Sequence, residues 1–147
     1  MIRQDMVSYG MVVKLSVSDM EKSLDFYTTK LGFKVDERYT INANKDWGMN
    51  SYVQLVYPSE TQGSMVLGLY KDITAPFPSV PANGSVPSFL VGDVEETYEQ
   101  FKHADIGLDS GIIPNTSDKG YTDHFFFFHD PDNNSLVIRQ NMPHNAE

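Results

Sequence analysis

The chain contains no cysteine, which excludes disulfides, thiolate nucleophiles and cysteine-bound zinc or iron–sulfur centres. Positive charge is scarce as well. Eleven Lys and Arg stand against 20 Asp and Glu, for a formal net charge of -9. The acidic excess is spread along the chain, and the clustered cations that bind a phosphate backbone are lacking, so no nucleic-acid partner is expected. No apolar run approaches the length of a membrane span, and nothing near Met1 combines a basic start with an apolar stretch and a small-residue cleavage site. These absences predict a soluble, cytoplasmic protein that does not engage a membrane. No glycine-rich phosphate loop is visible, and the serines of the apparent strands have no evident histidine partner for a Ser-His-Asp set. What the chain does have is 147 residues at 40 % hydrophobic content, enough for one compact domain.

Met11 to Val17 is β-branched and alternating, with Val13, Leu15 and Val17 on one face and Val12, Lys14 and Ser16 on the other. Ser18 followed by Glu21 predicts a capping box. Met20, Leu24, Tyr27 and Leu31 then recur at helical spacing up to Gly32, where positive φ would stop a helix. FKVDERYTI follows as a strand. The same order returns in SFLVGDVEETYEQFKHADIGL: Val91 to Glu95 echoes Val17 to Glu21, and Val94, Tyr98 and Phe101 repeat the spacing of Met20, Leu24 and Tyr27. Recurrence of strand, cap, helix and glycine in order marks a duplicated unit. Apolar segments separated by polar turns complete each half: SYVQLVYP and SMVLGLY, then DHFFFFH and NSLVIRQ. The reading is an α+β protein of two β-α-β-β-β modules, about residues 8–73 and 85–141, joined by a Pro/Gly-rich linker of about residues 74–84.

These residues carry a resemblance. The strand leading to Val17-Ser-Asp19, the run Ser23-Leu24-Asp25-Phe26-Tyr27, Leu31-Gly32-Phe33, and Asp130-Pro131-Asp132-Asn133-Asn134 near the end resemble the glyoxalase/bleomycin-resistance/dioxygenase superfamily, also called vicinal oxygen chelate. The resemblance covers essentially the whole chain. It implies that the modules curl into a half-open, barrel-like cup, and that the protein is a homodimer.

The resemblance also implies where a metal would be held: by His or Gln, Glu, His and Glu on the first and last strands of the modules. At the matching positions this chain has Val12, Gly68, Val86 and Val137, and none offers an oxygen or nitrogen donor. No metal site and no cofactor are expected. The remaining histidines do not replace it. His124 and His129 lie an odd number of residues apart on one strand and so face opposite ways, while His103 and His144 read as solvated surface.

Parity from those positions sends Lys14, Ser16, Ser64, Val66, Tyr70, Ser88, Leu90, Ser135 and Arg139 into the cup. Lys14 and Arg139 then either pair with an acidic or carbonyl-bearing ligand or meet an internal carboxylate. Trp47 and Tyr121, in predicted loops, are aromatic candidates for ligand contact, with packing the competing explanation for Trp47. Phe125 to Phe128 must send two rings to each face of their sheet, and the pattern alone does not say which pair faces inward. Asn133 replaces the glycine usual in such a turn because Asn tolerates the left-handed conformation. The candidate ligand-binding residues are therefore Lys14, Trp47, Tyr70, Ser88, Tyr121 and Arg139, with no catalytic residue assigned. The functional expectation is a metal-independent protein that binds an amphipathic small molecule and sequesters a drug or metabolite. Two alternatives stand beside it: a glyoxalase- or dioxygenase-like metalloenzyme with displaced ligands, and a non-catalytic interaction module whose cup is filled by its own side chains.

Overall fold

The computed structural model describes residues 10–42, 45–58, 65–79 and 84–144. Its elements follow the duplicated order. The first module contains β1 (Val13–Val17), α1 (Met20–Leu24, continuing through π-helical turns over Asp25–Lys30), β2 (Lys34–Ile41), β3 (Tyr52–Tyr57) and β4 (Met65–Lys71). The second contains β5 (Ser88–Leu90), α2 (Val94–His103), β6 (Ile113–Thr116), β7 (Thr122–His129) and β8 (Ser135–Asn141). The two four-stranded sheets have equivalent orders, β1-β4-β3-β2 and β5-β8-β7-β6, with the first and last strands of each module parallel and the other pairs antiparallel. Each sheet lays one face under its helix and leaves the other for the cup.

The alternation of β1 resolves as expected: Leu15 and Val17 are buried with Met20, Tyr27, Leu67 and Leu69 in the core. The cap does not. Asp19, with extended backbone, is the N-cap of α1 and accepts from the Lys22 amide at 3.1 Å. Asp93 does the same for α2, accepting from the Glu96 amide at 3.0 Å. A carboxylate cap of this kind contributes about 1 kcal/mol. Ser18, expected to cap, instead directs its hydroxyl to Asp132 at 2.5 Å. The hydroxyl donates to a buried carboxylate from the far end of the chain, a charge-assisted bond, and the first-turn amide is left to Asp19.

That contact belongs to a staple between the modules. Asp130 and Asp132 are buried. The Tyr27 hydroxyl donates to Asp130 at 2.7 Å, and the Ser18 amide donates to Asp132 at 3.1 Å. Asn134 donates to the Ser16 carbonyl at 3.0 Å. The β7–β8 turn of the second module is thus plugged into the β1–α1 junction of the first. Asn133 takes φ of 64°, the left-handed conformation expected of it, and its amide donates to the Phe77 carbonyl at 2.7 Å. Phe33 and Phe89 meet edge-on, with centroids 5.8 Å apart, and join the two cores.

Candidate ligand-binding site

Register assembles the inner face of the second sheet. Phe127 lies opposite Val137, which lies opposite Ser88; Phe125 lies opposite Arg139, which lies opposite Leu90; and Asn115 lies opposite Asp123. Directly opposed residues share a face, so the undivided Phe run is now divided. Phe126 and Phe128 are fully buried and meet Phe101 of α2 edge-on at 5.6 and 4.9 Å. Each contributes roughly 1.5–3 kcal/mol of burial to the core. Phe125 and Phe127 point the other way and meet each other edge-on at 5.6 Å.

They help to line an open hollow of about 370 Å³. Its floor is apolar: Val86, Phe125, Phe127 and Val137. Ser88, Asn115, Asp123 and Arg139 add polar groups around it. Arg139 reaches Asp123 at 3.3 Å and donates through Nε to Asn141 at 2.9 Å. The volume lies within the range of small-molecule sites, and an apolar floor with a few placed polar groups is their usual chemistry.

The inner face of the first sheet is different. Lys14, Gly68, Gln54 and Asp36 form one row across β1, β4, β3 and β2. Tyr52 lies over Gly68 so closely that a Cβ there would run into its ring. The Tyr52 hydroxyl donates to Gln54 Oε1 at 3.1 Å, and Gln54 donates to Asp36 at 3.3 Å. Hydrogen bonds from Arg38 hold the Asp36 carboxyl below the usual range against its partial desolvation. Burial, and then the Asp36 charge, push the Tyr52 hydroxyl up. Lys14 is answered internally: its Nζ reaches Asp72 at 2.6 Å and Ser16 at 2.8 Å, and it stands 5.5 Å from the centre of the Tyr70 ring.

The six candidate residues therefore divide. Ser88 and Arg139 come together at the hollow. Lys14 and Tyr70 share the other inner face, where the Tyr70 hydroxyl donates to Asn50 at 2.8 Å. Trp47 packs against the core, its amide held by Asn42 Oδ1 at 2.8 Å and its carbonyl by Lys71 at 2.9 Å. Tyr121, exposed, stacks on His144 with centroids 3.9 Å apart. Ser64 lies outside the described residues. Sequence reasoning missed Asn115, because β6 has no alternation to read, and the Tyr52–Gln54–Asp36 network, because no motif marks it. It also missed the pairing of His129 with Asp109, at 2.9 Å through Nδ1. Gly107, which follows α2, leaves the space in which that imidazole lies.

The residues at the ligand positions that the resemblance implies do not fit a divalent ion. Gly68 has no side chain and lies under a tyrosine, Val86 and Val137 line the hollow as hydrocarbon, and Val12 is an aliphatic side chain. Across the sheets, Gly68 faces Lys14 and Val137 faces Ser88, and a cation beside the position repels a metal. Among the described residues no three His, Asp or Glu side chains are grouped so that they could hold one.

Two paired modules with their sheets open toward a cup define the class. A model of the Glyoxalase/Bleomycin resistance protein/Dioxygenase superfamily matches residues 9–138, and the chain belongs to that superfamily. It is 28 % identical over 134 residues to a probable lactoylglutathione lyase of Vibrio cholerae, covering 90 % of each chain. A genomically encoded fosfomycin resistance protein from Listeria monocytogenes shares the fold at a TM-score of 0.64 and 14 % identity, over 93 % of this chain and 96 % of that one. An antibiotic binding protein from a Streptomyces species does so at a TM-score of 0.57 and 19 % identity, over 92 % and 98 %.

Proposed function

We propose that this protein is a metal-independent, cytoplasmic, homodimeric small-molecule binder that sequesters an amphipathic drug or metabolite. One observation carries the reading: the inner face of the second sheet offers a hollow lined by both apolar and polar side chains, at a place where the family's metal ligand is Val137. The family's chemistry depends on a metal that polarises substrate oxygens, and hydrocarbon in its place leaves binding as the use of the cup. The structural neighbours named for antibiotic binding and fosfomycin resistance make a drug a reasonable occupant.

The test is elemental analysis of protein purified without chelator, followed by thermal shift with zinc, nickel, manganese, iron and cobalt ions, and then with a panel of hydrophobic antibiotics and metabolites. A ligand at a hundred times its Kd stabilises the native state by about 2.7 kcal/mol, well within reach of a melting curve. The expected result is no metal, no shift with any ion, and a shift with one class of compound. A second reading, an enzyme with displaced ligands, is favoured by the relative named as a probable lactoylglutathione lyase and by the His129–Asp109 pair on the inner side of β7. One equivalent of metal per chain would select it.

A further inference from the structure

The charge pattern of the hollow narrows what it can hold. Of the eight side chains around it, the ionisable ones are Asp123 and Arg139, and they pair with each other at 3.3 Å. The guanidinium is engaged a second time, through Nε on Asn141 at 2.9 Å, so its charge is already answered inside the protein. The two partners are unequally wet: the Asp123 side chain is 13 % exposed and that of Arg139 is 44 % exposed. An arriving anion would therefore have to compete with a carboxylate 3.3 Å away for an arginine already held twice, in apolar surroundings that strengthen the existing pair. The long-range field works the same way, since the chain carries a formal charge of -9. A cation would meet Arg139 in the same hollow. An uncharged ring system meets neither penalty: Phe125, Phe127 and Val137 supply its contact surface, and Ser88 and Asn115 supply neutral hydrogen bonds.

Building on the binding function proposed above, we infer that the second-sheet hollow selects neutral aromatic amphiphiles and rejects anionic ones, with Asp123 as the residue that excludes anions. This reaches beyond metal independence, because it separates neutral from anionic ligands whatever the fate of the metal.

Two fluorescent probes with the same ring skeleton provide the test: neutral N-phenylnaphthylamine and its sulfonated counterpart, anilinonaphthalene sulfonate. Each is titrated into the full chain, into Asp123→Asn, and into Ser88→Trp and Asn115→Trp, two exposed positions where an indole would fill the hollow without disturbing the core. Circular dichroism checks that each variant folds. The expected result is that the neutral probe binds the native protein about tenfold more tightly than the sulfonate. Asp123→Asn should raise the sulfonate's affinity several-fold relative to that of the neutral probe, and either tryptophan should abolish neutral-probe binding. If the probes bind but the sulfonate is equal or tighter, or if Asp123→Asn leaves the ratio of the two affinities unchanged, the charge selection is wrong while the binding function stands. If both folded tryptophan variants still bind, the hollow is not the site. If neither probe saturates on the native protein, the inference falls together with the binding function beneath it.

Discussion

The Tyr27 hydroxyl is buried and donates to Asp130, which also accepts from the Asn134 and Asp132 amides at 2.8 and 2.9 Å. Burial pushes both groups up, and for Tyr27 the adjacent Asp130 charge adds to it. Tyr27→Phe removes one donor from a buried carboxylate, so it should destabilise the protein by about 1–3 kcal/mol in urea denaturation. Asp130 does not drive acid unfolding, because a carboxyl raised in the folded state gains relative stability as pH falls through its folded pKa. Asp72 has the opposite sign. Burial pushes it up, but hydrogen bonds from Lys14 and Ser16 and the Lys14 charge outweigh that and bring it below the usual range. The stability from the pair is therefore complete above the unfolded carboxylate value of about 4 and is lost as pH falls through the lower folded value. Comparing melting temperatures of the native protein and Lys14→Met across pH should show a gap that is constant near neutrality and closes under acid.

Among the elements, β1, β3, β4, β7 and β8 follow the hydrophobic pattern with little correction, because a period of two depends on the residues themselves, whereas β6 has no alternation to follow. Parity on β7 required that two phenylalanines face inward; only α2, packed on Phe126 and Phe128, decided which. The capping box at Ser18 failed for a related reason: local hydrogen bonding was weighed without Asp132, which lies 114 residues away. On β4, Gly68 is required by the Tyr52 ring above it. Gly68→Ala should cost about 1–3 kcal/mol by overpacking. Adding Tyr52→Ala should recover part of that loss in the double-mutant cycle, since the clash then has no partner. Recovery smaller than the error of the denaturation curves would show that the glycine serves the backbone rather than the ring.

For the whole molecule, the polar turn Asp130 to Asn134 joins what the duplication made separate. Asp132 accepts from the Ser18 amide and hydroxyl, and lies 3.5 Å from the Ser23 hydroxyl. Asp132→Ala strands these donors in a buried junction, and a loss of about 3 kcal/mol or more is expected. The urea transition should also broaden as the modules uncouple, a change that fluorescence of Trp47 in the first module and far-ultraviolet dichroism would report as non-coincident curves.

The duplicated modules, the strand faces, and the lack of oxygen or nitrogen donors at Val12, Gly68, Val86 and Val137 were legible in the order of residues, because each depends on spacing or on side-chain chemistry. The tertiary structure alone decided that Tyr52 covers Gly68, that Arg139 meets Asp123, and that Asn115 joins Ser88 at the hollow. These relations depend on strand register and on loops, and register follows from the hydrophobic pattern together with turn geometry between segments distant in the chain, which no single stretch displays.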